Sequence, residues 1–342
     1  MDIASEAISA RAVESSARPM LRGRSAIDFV QNAWPQLTPT EFVSAEWILS
    51  VWEFLPELGS PAVVVSGSHA GWGAIALTES RGDAGRSLVV AGAPLVDEHE
   101  VVTSGPVDVD AVSRDLVHIL RQEAKTGTAV QLDCAVPDSH LARALAAHRA
   151  HWSLEPEPAP VIDLSALSVN ALRHSKRLNR LARTGPVTFD VIEGHRLTAA
   201  VGTSFVERRL ISWETRGRIH ELPDVERSPA FPVFLGEMVH RMAVDRNARL
   251  HVVRAGGRTV AEDLMLGPVS DPLLYMRSYD PAFSACSPGR ILLEHTLLGM
   301  SGSALRRLRT GRGDEAYKLA AGADRSCVIT AVVGPHGSGQ TK

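Results

Sequence analysis

The chain has 342 residues, 44% of them apolar and 22% charged, with a formal net charge of -3. That length leaves room for about two domains with sizeable cores, and the near-neutral balance excludes general affinity for polyanions, leaving only local patches for such contacts. Cys134, Cys286 and Cys327 are too few and too scattered for a disulfide framework or a zinc pattern, and no apolar run is long enough to span a membrane, so a reducing, cytoplasmic setting is expected.

Residues 1–25 mix Glu, Ser and Arg without an apolar stretch and read as a flexible arm. Ala62 to Leu77 then reads as a hairpin turning near Gly71, Leu88 to Val90 as a third strand, Val107 to Thr126 as a helix and Ala129 to Leu132 as a further strand. Pro156, Pro158 and Pro160 mark a link. Leu172 to Gly185 follows as an amphipathic helix, with Leu172, Leu178, Leu181 and Ala182 on its apolar side. Its Arg173, Lys176, Arg177, Arg180 and Arg183 form either a solvated face or a contact for nucleic acid or an anionic acceptor.

The last third is the most informative. Leu250 to Val253 begins a strand, Gly256-Gly257 is a turn requiring positive φ, and Thr259 to Leu266 returns as the hairpin partner. Leu273 to Tyr279 is a third strand, stopped by Asp280-Pro281 because proline cannot donate a ladder hydrogen bond. Ser287 is placed to cap a helix with Pro288 at its first position, and Ile291, Leu292, His295, Leu298 and Gly299 share one face until Gly302. Ala304 to Leu308 reads as another strand, and Gly311-Arg312-Gly313 as a turn into a short helix presenting Tyr317 and Lys318. The glycine-rich tail, 334–342, reads as disordered.

The two halves share one order of strand, glycine turn, strand, break, strand, helix, strand, offset by roughly 185 residues, as a duplicated α/β unit would be. Only the second copy opens its helix with Ser287-Pro288-Gly289-Arg290, where free amides and the dipole suit an anion. The first runs instead into Asp97, Glu98 and Glu100, which would repel a diphosphate.

Several of these segments together carry a resemblance. Tyr279-Asp280, Ser287-Pro288-Gly289 and the run Gly311 to Lys318 resemble the GNAT-fold acetyltransferases of the CelD/BcsL type, distant relatives of the FemABX aminoacyl transferases. Glu41 to Trp47, Ala91 to Asp97, the basic helix, and Trp213-Glu214 with Phe231 and Phe234 are similar to that family as well, so the likeness covers most of 40–322. Arg309 departs from it, standing where members often carry an Asp. The fold implied is α/β of mixed α+β character: tandem GNAT-like domains, each a twisted mixed sheet flanked by helices. The expected boundaries are 26–158 for an acceptor-side domain and 159–333 for a donor-binding, catalytic one.

The resemblance implies an N-acyltransferase moving an acyl group from acetyl-CoA or another acyl-CoA to the amine of a small molecule or amino sugar. An aminoacyl-tRNA-dependent amide ligase and a non-catalytic GNAT-fold subunit stand as alternatives. No metal, DNA or membrane span is expected. Thioester aminolysis needs a base for the amine, donors for the oxyanion and an acid for the thiolate. Glu262 and Asp263, adjacent on a strand and so facing opposite sides, offer one candidate base between them; Tyr317 is the candidate acid. Tyr275, Met276 and Arg277 would line the acyl arm, Ser287, Pro288, Gly289, Arg290 and Arg312 the phosphates, and Trp213, Glu214, Tyr279 and Lys318 the acceptor.

Overall fold

The computed structural model describes residues 19–35, 40–68, 70–83, 85–166, 175–245, 247–301 and 305–334. The chain divides into two compact units, Met1–Glu157 with Cys327–Lys342, and Pro158–Ser326.

The first unit opens with β1 (Met20–Arg22) and α1 (Arg24–Ala33), followed by α2 (Ala45–Phe54), whose N-cap Ser44 accepts from the Trp47 amide. β2 (Ser60–Ser68), β3 (Gly71–Gly82) and β4 (Gly85–Val90) form an antiparallel meander, with β5 (Val102–Ser104) pairing β3. α3 (Val109–Lys125) buries Val112, Leu116, Val117, Leu120 and Ala124 at helical spacing, and the Asp108 carboxylate caps its start. β6 (Thr128–Ala135), α4 (His140–Ala147) and β7 (Ser153–Pro158) complete the run, and β14 (Cys327–Val333) returns to lie between β6 and β7.

Two expectations are corrected, and the expected link is given its place in a strand. Met20 to Arg22, expected in a flexible arm, pair with Val64 to Ala62 because their backbone completes the edge of the sheet. Pro156 and Pro158 lie in β7, beside the boundary between the two units at Glu157 and Pro158; β7 is an edge strand, where a missing N–H can face away from the ladder. Cys327 to Val333, expected in the second domain, belong to the first unit's sheet, antiparallel to β6. Residues 1–18 of the expected arm and 335–342 of the expected tail lie outside the described residues.

In the second unit β8 (Val161–Asp163), β9 (Val187–Glu193), β10 (Ala248–Ala255), β11 (Arg258–Leu266), β12 (Leu273–Tyr279) and β13 (Arg307–Arg309) form a sheet in the order β8-β13-β12-β11-β10-β9. Gly256 and Gly257 turn β10 into β11 with φ of 58° and 79°. The basic helix is α5 (Ser175–Ala182); Leu172 and Arg173 lie outside the described residues. α6 (Ala199–Thr215) and α7 (Phe231–Val244) bury Phe205, Val206, Phe231, Phe234 and Leu235. They approach closely because both contact positions lack a Cβ: one at Gly202 would sit 2.8 Å from the Gly236 Cα, and one at Gly236 only 2.6 Å from the Ala199 carbonyl oxygen. α8 (Pro288–Met300) and α9 (Ala316–Ala320) follow, α8 packing through Ile291 and Leu292 on Val253 and Ala261. The strand expected over Ala304 to Leu308 is shorter and later, at β13; 302–304 lie outside the described residues.

The expected duplication is visible in the topology. β2-β3-β4-β6 and β10-β11-β12-β13 are each an antiparallel meander whose third strand pairs a fourth in parallel, after a helix. The two copies differ at that parallel pair. In the first unit it is zipped over Arg86↔Thr128 to Val89↔Gln131, and His99 bridges onward to Ala135, donating its amide to the Cys134 carbonyl. In the second, β12 and β13 register only at Leu273↔Arg309 among the described residues and then diverge. Of the acidic residues of the first copy, Glu100 is buried and accepts from the Leu141 and Val101 amides, stabilising the start of α4.

Among the described residues no helix is long and apolar enough to cross a membrane, and no group of three or more His, Cys, Asp or Glu is placed to hold a metal ion. Cys134, Cys286 and Cys327 are free thiols.

Candidate functional site

Where β12 and β13 diverge, the second unit holds a cleft of about 570 Å³, a size suited to a small ligand or cofactor arm. One wall is β12 from Tyr275 to Tyr279. Tyr275 is the extra residue of a bulge, since Leu264 faces Met276 while Met265 faces Leu274. The opposite wall comes from Thr310, Arg312 and Glu315 to Lys318, one end from Ser287 to Arg290, and another from Arg209, Ser212, Trp213, Arg216 and Arg218 of α6 and its exit.

The start of α8 differs from expectation in one respect. Ser287 has φ 52°, its side chain caps nothing, and its carbonyl oxygen accepts from the Arg290 and Ile291 amides. Pro288 disfavours a right-handed helical conformation at the residue before it, and Ser287 stands in the left-handed region, turning the chain from Cys286 into the helix. Gly289 leaves room beside it: a Cβ there would meet only Arg277, at 3.7 Å.

Arg277 ties the walls together. Its guanidinium holds Asp263 at 2.7 and 3.0 Å, donates to the Gly289 carbonyl at 2.5 Å, and lies 4.5 Å from the Tyr317 ring centroid. Burial opposes its charge, but Asp263 and Tyr317 hold its pKa above the ordinary value. Burial pushes the Asp263 carboxyl up, with Arg277 acting against it. Tyr317 is pushed up to about 12, mainly by burial, and stays a neutral phenol at any ordinary pH.

Trp213, Tyr275, Met276, Arg277, Tyr279, Ser287, Pro288, Gly289, Arg290, Arg312, Tyr317 and Lys318 therefore converge on one cleft, and Glu214, Glu262 and Asp263 do not line it. Glu214 is exposed. Neither strand carboxylate is placed as a free base. Glu262, 2% exposed, is gripped by Arg208 of α6 at 2.7 and 2.6 Å on one face of the sheet, and Asp263, 1% exposed, by Arg277 on the other. Alternation along β11 divides them as expected, but each ends in an ion pair because a buried carboxylate needs a counter-charge.

Lys318, expected at the acceptor, is 2% exposed and its ammonium donates to the carbonyls of Gly311, Arg312 and Gly313 at 3.1, 2.6 and 3.1 Å, with Glu315 at 2.9 Å. It staples the glycine turn rather than facing a ligand. Lys318→Met should lower stability by about 1–3 kcal/mol, the cost of leaving buried carbonyls unpaired, readable as a urea midpoint shift at constant slope. Arg309 is likewise structural, donating to the Asp271 carbonyl at 2.7 Å.

Arg209, Ser212, Arg216, Arg218 and Glu315 join the site without having been expected there. The first three carry a legible signal: positions 209, 212 or 213, and 216 recur at helical spacing and share a face with Trp213. Arg209 donates to the Arg277 carbonyl at 2.9 Å and pairs with Glu226, while Arg209, Arg216 and Arg218 stand 5.4, 4.6 and 5.3 Å from the Trp213 ring.

The fold that carries this cleft has counterparts among known proteins. Residues 171–319 match the acetyltransferase (GNAT) domain family. No curated protein matches the chain. Among solved structures, the C-terminal domain of a protein described as a putative lysylphosphatidylglycerol synthetase, from Agrobacterium fabrum, is similar at 14% identity and TM-score 0.58, over 90% of this chain and 91% of that one. FemX is similar at 11% identity and TM-score 0.55, over 90% and 95%. L-PGS from Bacillus licheniformis is similar at 13% identity and TM-score 0.52, over 83% and 87%. At these identities the likeness is one of fold. It extends well beyond the GNAT match into the first unit, in keeping with two GNAT-like sheets of the same connectivity.

Proposed function

We propose that the chain is an N-acyltransferase that carries an acyl group, acetyl in the first instance, from acyl-CoA to the amine of a small molecule in a ternary complex. The observation that carries this reading is the separation of β12 from β13 beside the first turn of α8. The residues present fit such a donor. The dipole at the start of α8 with Arg290 and Arg312 suits its phosphates, and the bulged edge of β12 suits an extended amide-bearing arm. The resemblance to CelD/BcsL-type proteins supports the same donor.

The acceptor nitrogen attacks the thioester carbonyl, the C–N bond forms and the C–S bond breaks. Backbone amides of β12 stabilise the oxyanion, and Tyr317, kept protonated by burial, gives its proton to the leaving thiolate. The proton lost by the amine passes to water near Glu315, the sole carboxylate among the cleft-lining residues.

One observation favours the second reading, an aminoacyl-tRNA donor. The basic helix α5 is docked on the donor end of the cleft: Arg180 donates to the Ala285 carbonyl at 2.8 Å, and Arg177 lies 3.9 Å from Glu294, which also holds Arg290. Calorimetric titration with acetyl-CoA and CoA separates the two. Micromolar binding that disappears in Gly289→Trp is expected, the variant remaining folded because a Cβ at 289 has only Arg277 as a neighbour. Absence of CoA binding by the intact protein, with salt-sensitive tRNA binding lost in Arg177→Glu/Arg180→Glu, would transfer the assignment to the aminoacyl-tRNA reading.

A further inference from the structure

The cleft has a second cationic end that the donor does not explain. β12 and β13 separate, and the cleft between them is lined by residues from both faces of the sheet. α8 and its Ser287–Arg290 turn lie on the face where Asp263 meets Arg277, whereas α6 lies on the face where Glu262 meets Arg208. A donor whose phosphates rest against α8 leaves the arginines of α6 turned toward whatever enters from the other face.

Of these, Arg216 is the one built for a ligand. Arg209 is engaged by Glu226 and the Arg277 carbonyl, and Arg218 by Glu221 at 2.7 and 2.5 Å. Arg216 makes no carboxylate contact within ion-pair distance among the described residues, and Glu221, already held by Arg218, attracts it only at longer range. Its Nε donates to the Ser212 carbonyl at 3.0 Å, and its guanidinium rests 4.6 Å from the Trp213 ring and 5.0 Å from the Tyr279 ring. With Nε engaged and the plane held against two aromatic rings, what remains to offer is its terminal N–H edge, the fork that receives a carboxylate or phosphate in bidentate fashion. Beside it the Ser212 side chain, 1% exposed, has a hydroxyl with no hydrogen-bond partner, at the point where the cleft meets a smaller cavity of about 280 Å³. A buried hydroxyl without a partner is costly unless a ligand supplies one.

We infer that the acceptor is an anionic amine, one carrying a carboxylate or phosphate besides its nucleophilic nitrogen, and that Arg216 with Ser212 fixes that anion. This rests on the acyltransferase reading and deepens it. Holding the anion on the α6 side presents the amine to the thioester across the bulge at Tyr275, which makes Arg216 a specificity residue for the acceptor rather than for the donor.

The experiment uses matched acceptor pairs with the full-length protein and acetyl-CoA: amino acids against their carboxamides, and amino sugars against their 6-phosphates, following release of the CoA thiol. The expected result is a preference for the anionic member on the order of 10-fold to 100-fold in kcat/KM, the range of a charge-assisted hydrogen bond. That ratio collapses toward one in Arg216→Gln through KM and is partly restored in Arg216→Lys, while calorimetric CoA affinity is unaltered in both. Which pair shows the preference tells a carboxylate from a phosphate. For pairs that do not turn over, binding to the CoA-loaded protein gives the same comparison. Equal use or binding of both members, or a preference that survives Arg216→Gln, overturns the inference while leaving CoA binding, and with it the donor assignment, standing. Loss of CoA affinity in Arg216→Gln overturns it too, assigning the arginine to the donor.

Discussion

Arg277→Met should cost about 3–5 kcal/mol of stability, because it strands the 1% exposed Asp263 carboxylate without its partner in the middle of the sheet. Asp263→Leu strands the guanidinium instead, at a comparable cost. The double variant is expected to recover most of the loss, since two apolar side chains of similar volume replace a desolvated pair with neither charge left over. Its function is expected to stay lost. Arg277 links β12 to the Gly289 carbonyl at the start of α8 and to Tyr317 across the cleft, and no apolar side chain reproduces those contacts. Urea unfolding of the four-member cycle, combined with acetyl-CoA titration of each, separates the two roles. A double variant as unstable as either single one would show that the pair contributes through something other than its buried charges, and one that binds CoA normally would remove Arg277 from the cleft's design.

Acid should begin to destabilise the chain before its carboxylates titrate. His99, 1% exposed with an unpartnered Nδ1, is held down to about 3 by burial, and His251 down to about 4, by burial first and then by Arg249 and His295. Both folded-state values lie below the unfolded value of about 6.5. Their contribution is therefore fully present above pH 6.5 and is lost as pH falls, between about 6.5 and 4 for His251 and down to about 3 for His99. His99 alone accounts for at most about 4–5 kcal/mol, a large part of an ordinary domain's stability. The measured unfolding free energy should fall below pH 6.5 with a slope of up to about two protons, and His99→Leu should reduce it to about one. A flat profile from pH 7 to 4.5 would mean that neither imidazole is kept neutral by the fold.

Much of the site is legible in the order of its residues. The bounds of β12, Leu273–Tyr279, follow from alternation and the Asp280-Pro281 stop, and Pro288 at the first position of α8 follows from helix-start chemistry. The repeat of element order is enough to anticipate two sheets of one connectivity. These are local properties: a proline, a glycine pair or a hydrophobic period acts on the few residues around it.

Other features are illegible there for a physical reason. That one parallel pair zips while its counterpart splays depends on which distant segment fills the gap: His99 bridges Ala135 in the first unit, and the second registers only at Leu273↔Arg309. Charge partners are equally non-local. Glu262 and Asp263 are alike as neighbouring acids, yet Arg208, 54 positions away, engages one and Arg277, 14 away, the other. Lys318 has the chemistry of a ligand contact, but the turn before it folds back onto its ammonium. Residue types, element order and the helix start at Ser287 are thus set by the chain's own local chemistry. Which charges are free to meet a substrate is settled by packing, because a side chain's partners are chosen by whatever the fold brings within about 3 Å of it.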